Sequence, residues 1–465
     1  MSSARLAAAH AWLPQGWEEA VDIGIVEGRF ARVRPGEADG DAVPLGHWVL
    51  PGMVNLHSHA FQRAMAGLAE RRSPGAAARE DSFWTWREVM YAFAGRIGPD
   101  ELRAIAAQLY VEMLEAGYTQ VCEFHYLHHR PDGTAYADAA AMSLALVEAA
   151  QEAGIGLTLL PTLYLTGGFD GRALSERQRR FGHRLDAYLD LVRRLQGMET
   201  STLRVGVALH SLRAVPPEAL TAVMGSGLVD DAPIHIHIAE QLGEVQDCLA
   251  LRGARPVDWL LDHAPVDARW TLVHATHLSE GEVRRLADSG AVAGLCPTTE
   301  ANLGDGLFPL KAYLDAGGVF GIGSDSHISV SPVEELRWLE YGQRLLARHR
   351  NIAVSESSAS VGETLWGDAL YGGAQAAGAV LGAIDEAEVD SAAARADLLV
   401  LDAAAPQLAG RDAAHLLDSF LFSGNRNLVR DVMVAGAWVV RDGRHRDAER
   451  IAARYRATVE ALARE

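Results

Sequence analysis

Five polar clusters stand at the ends of strand-like apolar runs: His57-Ser58-His59, His210-Ser211-Leu212-Arg213, His237-Ile238-Ala239-Glu240, His274 and Asp325. The runs that lead into them are WVLPGMVNL, LRVGVAL, PIHIHI, WTLVH and VFGIGS. Imidazole nitrogens and carboxylate oxygens are the donors of hydrolytic zinc sites, which use three protein ligands and leave a position for water. Alternate residues of a strand point to the same face, so His57 and His59 can address one ion. In a parallel (β/α)8 barrel the active site forms at the C-terminal ends of the strands, which would gather these scattered residues into one place. The chemistry this pattern predicts is metal-dependent hydrolysis.

Each residue has a more ordinary reading, and position decides between them. His235 and His237 share a face of the fifth run; His237 is nearer its end and three residues before Glu240, so His237 is expected to ligate. His235 is expected to fill a deeper layer of the barrel. Glu240, alone a solvated helix-start residue, becomes a proton shuttle through its proximity to His237. His274 closes the sixth run and is expected to orient the attacking water, whereas His277, His327 and the His128-His129 pair read as loop residues. Asp325, in GIGSDSH, is the carboxylate suited both to bind metal and to accept the proton of the water.

The elements that must position these groups follow from periodicity. Helical spacing over 101–117, strand-like QVCEFHYL, a helix near 136–153 and strand-like IGLTLLPTLY extend an alternation that continues to VFGIGS and yields eight strand candidates. Such alternation signals an α/β fold with a parallel sheet and crossover helices. The glycine-rich region 335–382 reads as helical packing on the barrel exterior. Alternating apolar runs at 20–34 and 432–444, with DLLVLD at 397–402, predict hairpins from both chain ends. The expected architecture is a (β/α)8 barrel over 49–389, with a small β-sandwich assembled from 1–48 and 390–465.

A chain of 465 residues that is 49% hydrophobic and 22% charged can bury a barrel and a small second domain. The net charge of -19 argues against a nucleic-acid or anionic-membrane surface, although a pocket can still carry its own arginines. Three isolated cysteines, Cys122, Cys248 and Cys296, suit reduced thiols, and neither a secretory h-region nor a membrane span is seen, so a cytoplasmic location is expected. Of the 42 basic residues only Lys311 is lysine. No lysine near the fourth strand can be carbamylated to bridge two metals, which favours a mononuclear centre.

Read together, HxH after strand one, HxxE after strand five, histidine after strand six and aspartate after strand eight resemble the amidohydrolase superfamily, over nearly the whole chain. With no bridging lysine, the set is similar to its mononuclear deaminase branch. Within that branch PGMVNLHSHAFQRAMAGLAE (51–70), SFWTWREVMY (82–91), EFHYLHH (123–129), HSLRAV (210–215) and HIHIAEQ (235–241) resemble the formimidoylglutamate deiminases. The resemblance implies hydrolysis of N-formimino-L-glutamate to N-formyl-L-glutamate and ammonia, in histidine degradation, with one divalent ion, zinc first among candidates. It implies His57, His59, His237 and Asp325 as ligands, Glu240, His274 and Asp325 as catalytic groups, and substrate contacts at Gln62, Arg87, Tyr126, His210 and Arg213. A homodimer is a family-level expectation.

The chemistry of the substrate agrees with the arginines, since a guanidinium fork binds a carboxylate bidentately and keeps its charge. Two other readings compete. A mononuclear deaminase of a purine, pterin or adenosine-type ring needs an apolar or stacking pocket and no paired clamp, so Arg87 and Arg213 beside the metal residues would weigh against it. A non-catalytic metal-binding barrel would need no shuttle or water-orienting residue.

Overall fold

The computed structural model describes residues 3–36, 41–70, 83–355, 358–386 and 393–464. Ser82 of the second quoted stretch, and the expected domain boundary between 389 and 390, lie outside the described residues.

Eight parallel strands form the barrel: β1 (Met53–Ser58), β2 (Tyr118–His125), β3 (Gly156–Leu163), β4 (Val207–Ser211), β5 (Ile234–Ile238), β6 (Trp270–His274), β7 (Val292–Leu295) and β8 (Val319–Ile322). Consecutive strands pair in sequence order from β1 to β8. The seam between β8 and β1 closes beyond β8: Asp325 N–H donates to His57 O at 3.0 Å and His59 N–H to Asp325 O at 3.2 Å. β1, β2, β3, β5 and β6 are buried at every position, as strands sandwiched between a packed interior and an outer helical layer must be.

The crossover helices show why the local sequence stops and starts where it does. The expected helix at 101–117 is Pro99–Ala116, with proline in its first turn and Glu101 accepting the Gly98 N–H at 2.9 Å. Gly117 ends it in the left-handed region, φ 108, where a side chain would be strained. The helix expected near 136–153 begins later, at Ala141. The region 335–382 resolves into helices Pro332–Ala347 and Val361–Ala377; the second packs against β8 and β1, and its C-terminal carbonyls at Ala376 and Ala377 meet His235 of β5 and Thr158 of β3.

Both chain ends join one separate sheet, in the order 444–445, 437–441, 429–434, 398–401, 43–51, 3–13, 16–26, 29–34. The two expected hairpins are present. Each turns through two consecutive residues with positive φ, Glu27-Gly28 and Ala435-Gly436, which matches the twist of the flanking strands. A buried ion pair ties this sheet to the barrel. Arg395 Nη2 lies 2.6 Å from Asp397 Oδ2, while its Nη1 donates to Gln120 Oε1 at 2.8 Å on β2. Asp397 O accepts the Gly52 N–H at 3.2 Å, just before β1 begins. No helix among the described residues is long and apolar enough to cross a membrane.

Removing one partner of a buried pair strands the other charge, at a cost of about 3–5 kcal/mol. Arg395→Ala is therefore expected to lower unfolding stability by about that amount in urea titration. An Arg395→Ala midpoint equal to wild type would show that Asp397 finds compensation elsewhere.

Candidate active site

The residues flagged by type and spacing meet at the C-terminal mouth of the barrel. Asn55, His57 and His59 follow strand alternation along β1, and His57 and His59 point to the interior with His237 from the end of β5. The His57 and His237 Nε2 atoms lie 3.0 Å apart, and one ring nitrogen from each of His57, His59 and His237 falls within 4.8 Å of the others. Asp325 Oδ1 is 3.6 Å from His57 Nε2 and 3.4 Å from His59 Nε2. Gly323 makes this approach possible, because a Cβ there would sit 2.7 Å from the His57 backbone nitrogen.

Backbone carbonyls orient two of the three rings. His59 Nδ1 bonds Phe124 O at 2.9 Å and His237 Nδ1 bonds His210 O at 2.9 Å. Those bonds place the proton on Nδ1 and leave a lone pair on Nε2, facing inward. Burial holds all three imidazoles neutral: it drives His59 to about 3 and His57 and His237 well below the usual range, with neighbouring histidines adding to the effect. Converging lone pairs in a dry site beside a carboxylate form a donor set that fits a divalent cation. The carboxylate itself is pushed up to about 7, by burial first and then by Glu240 and Glu300, with His274 opposing.

His274 behaves oppositely. Burial disfavours its charge, but Glu240, a hydrogen bond to Glu300, and Asp325 outweigh burial and raise its pKa to about 10. Its Nε2 faces Glu240 Oε1 and Asp325 Oδ2, each at 3.9 Å. The turns that present these groups are strained: Ala239, His274, Ala275 and Asp325 all carry positive φ. Non-glycine residues in that region cost about 1–2 kcal/mol each, and such strain concentrates at functional strand ends.

A cavity of about 920 Å³, counting the space at its open mouth, lies above these residues. All five expected substrate contacts line it: Gln62, Arg87, Tyr126, His210 and Arg213. Gln62 Nε2 donates to the Tyr126 hydroxyl at 2.9 Å. Arg87 Nη2 reaches the Tyr164 hydroxyl at 3.3 Å and its guanidinium lies 5.0 Å over the Tyr91 ring. The pocket therefore holds the two guanidinium groups in one space with the histidine cluster, and its walls are aromatic, including Trp86, Tyr164 and Phe181.

Other histidines sort as their positions suggested, with additions. His235 lies deeper and bonds Ala376 O at 2.9 Å. His277 is not part of the cavity lining. His327 is in a loop, yet fully buried: it bridges Ser324 Oγ at 2.8 Å and Ser58 Oγ at 3.2 Å across the barrel seam. His128 is also buried and bonds Thr162 O at 3.0 Å. Sequence reasoning missed Glu123, Tyr164, Glu244 and Glu300. Glu123 accepts from Ser58 Oγ at 2.6 Å and Ala60 N–H at 2.7 Å, and so fixes the turn that carries His59. Its place at a strand end, in EFHYLHH, was the available signal; Glu300 similarly follows β7.

A model of the amidohydrolase family matches residues 48–439. The chain is 54% identical, over 96% of its length and 96% of the relative's, to a formimidoylglutamate deiminase of Pseudomonas aeruginosa. A crystal structure of an amidohydrolase from Brucella melitensis is 45% identical, with a TM-score of 0.90 over 99% of this chain and 100% of that one. An adenosine deaminase from Xanthomonas campestris, solved with bound zinc, shares the fold at 20% identity, with a TM-score of 0.79 over 99% of this chain and 98% of that one.

Two outcomes follow from the geometry. Below pH 7 Asp325 holds a proton that an incoming cation must displace, so divalent-ion affinity is expected to fall roughly tenfold per pH unit there, with proton release on binding. Calorimetry of zinc uptake in buffers of different ionisation enthalpy measures both; pH-independent affinity from 5 to 7 would contradict it. Gly323→Ala should push β8 away from His57 and leave the protein depleted in metal by elemental analysis, whereas full occupancy would mean the seam can yield.

Proposed function

The chain belongs to the amidohydrolase family, and from that premise we propose that it hydrolyses the carbon–nitrogen bond of N-formimino-L-glutamate. Water adds its oxygen to the formimino carbon, the bond to the terminal nitrogen breaks, and N-formyl-L-glutamate and ammonia leave. The carrying observation is Arg87 and Arg213 in the same cavity as His59, His237 and Asp325, against which His57 is clustered. Paired guanidinium groups match a ligand with two carboxylates at one end and a reacting carbon at the other. A ring amine offers those two forks no carboxylate to bind, and the 54% identical relative supports the linear substrate.

His57, His59, His237 and Asp325 would hold one divalent ion, with zinc favoured by the three imidazole donors. Bound there, such an ion lowers the pKa of water from 15.7 to about 7 and polarises the reacting carbon's substituent. The chain's own groups do the rest. Asp325, already near neutrality, accepts the proton of the attacking water. His274, held as imidazolium by its carboxylates, donates toward the developing negative charge beside Asp325. Glu240, 3.9 Å from His274 Nε2, delivers to the terminal nitrogen both protons that the water gives up, the one taken by Asp325 included, so that =NH departs as ammonia. Gln62 and Tyr126 supply neutral hydrogen bonds, and His210 closes the pocket behind His237. The presence of shuttle, acid and ligands together weighs against a merely metal-binding role.

The same reading gives the enzyme a place in histidine degradation and a cytoplasmic location. Three buried free thiols, Cys122, Cys248 and Cys296, support a reducing compartment.

Incubation with N-formimino-L-glutamate is expected to release ammonia from the metal-replete protein and none after chelation; well-folded, metallated protein that releases none would overturn the substrate. Glu240→Gln should keep its metal and lose about 100- to 10,000-fold in kcat. Arg87→Met and Arg213→Met should each raise KM by about 10- to 100-fold, the worth of a hydrogen bond to a charged group, and unchanged KM values would remove the clamp.

A further inference from the structure

His274 is held from two sides. Its Nε2 faces the reaction space, and its Nδ1 lies 3.3 Å from Glu300 Oε1. Among the described residues, Glu300 is the group that hydrogen-bonds this ring. We propose that Glu300 is a positioning residue: its carboxylate takes the Nδ1–H of His274 from behind and so aims Nε2–H at the space between Glu240 and Asp325. This rests on the hydrolytic reading above and extends it to a group behind the reacting centre.

Three features suit Glu300 to the task. It is 4% exposed, so water does not compete for its oxygens. Its own position is fixed, since Oε1 also accepts the Cys296 N–H at 2.9 Å and its backbone N–H donates to Cys296 O at 2.9 Å in the first turn of helix Pro297–Leu303. And it sits after β7, one strand beyond His274, so the carboxylate reaches the ring across the inter-strand gap. His274 is the last residue of β6 and its backbone is strained at φ 68, so a partner for Nδ1 sets the direction of the ring. A carboxylate behind a catalytic imidazole sets tautomer and orientation, and groups in that position are worth about 10- to 100-fold in activity.

The ligand atoms of His274, Cys296 and Glu300 also fall within 4.8 Å of one another, which is the geometry of an alternative metal site. Burial and the surrounding carboxylates raise the Cys296 thiol well above its ordinary range, which opposes the thiolate that ligation requires.

The test compares Glu300→Ala and Glu300→Gln with wild type. Glu300→Ala is expected to lower kcat about 100-fold with KM changed less than about threefold and one equivalent of zinc retained. Glu300→Gln, which keeps a neutral acceptor for both N–H groups, should recover to within about tenfold of wild type. In the zinc-free protein, proton NMR should show a hydrogen-bonded His274 Nδ1–H, assigned with His274→Asn, that disappears in Glu300→Ala. A Glu300→Ala kcat within about threefold of wild type overturns the proposal. So does a fall in kcat matched by lost zinc, or a second zinc equivalent in wild type that Glu300→Ala abolishes. If wild type itself releases no ammonia from N-formimino-L-glutamate, the substrate reading fails instead, and the presence or absence of the His274 resonance still decides whether Glu300 holds the ring.

Discussion

The seam between β8 and β1 is where this protein's fold and its chemistry coincide. Asp325 and His57–His59 exchange two backbone hydrogen bonds there, and the same residues present donors of the candidate metal site. A barrel closed elsewhere would leave the histidines of β1 and the aspartate beyond β8 on opposite edges of an open sheet. Closure depends on small and polar residues: Gly323 admits the His57 backbone, Asn55 exchanges two hydrogen bonds with Ser324, and His327 spans Ser58 and Ser324. The helix Val361–Ala377 packs against β8 and β1 at Phe320 and Val54, and the polar seam residues Asn55, Ser58, Ser324 and His327 are all buried.

Shielding gives the site its electrostatics. In a low dielectric the charge of a group is decided by its nearest partners. His57, His59 and His237 face one another, with carbonyls behind His59 and His237, and burial keeps them neutral beside Asp325. His274, a strand away, is ringed by Glu240, Glu300 and Asp325 and is cationic. The same residue type thus differs in charge within one cluster, because Glu240 and Glu300 join Asp325 around His274, whereas burial and neighbouring histidines dominate at the other rings. Burial also raises Asp325, which prepares a carboxylate to take a proton near neutral pH.

The two arginines of the cavity come from other elements than the histidine cluster and Asp325. Arg87 comes from the helix Phe83–Ala94 and Arg213 from the loop after β4, while Gln62 and Tyr126 follow β1 and β2. Variation of loops at the strand ends of a fixed barrel is how one fold carries many chemistries. The terminal sheet sits outside this division. Its contribution is anchorage, through the Arg395–Asp397 pair at the start of β1 and against β2.

Much of this was legible in one dimension. Strand alternation put His57 and His59 on one face and separated His237 from His235, and the eight apolar runs placed each polar cluster at a strand end. These are local properties, set by backbone period and burial, and they survive whatever the loops do. Glu300 behind His274, Glu123 beneath the His59 turn and Tyr164 beside Arg87 were not legible, nor was the burial of His327 in a loop that reads as solvated. Each depends on a contact between residues on different strands or loops, and nothing in the spacing of one segment encodes its distance to another. The crossover helices and the barrel's closure set those distances, so the sequence determined which chemistry was available and the tertiary packing decided which groups hold, charge and aim it.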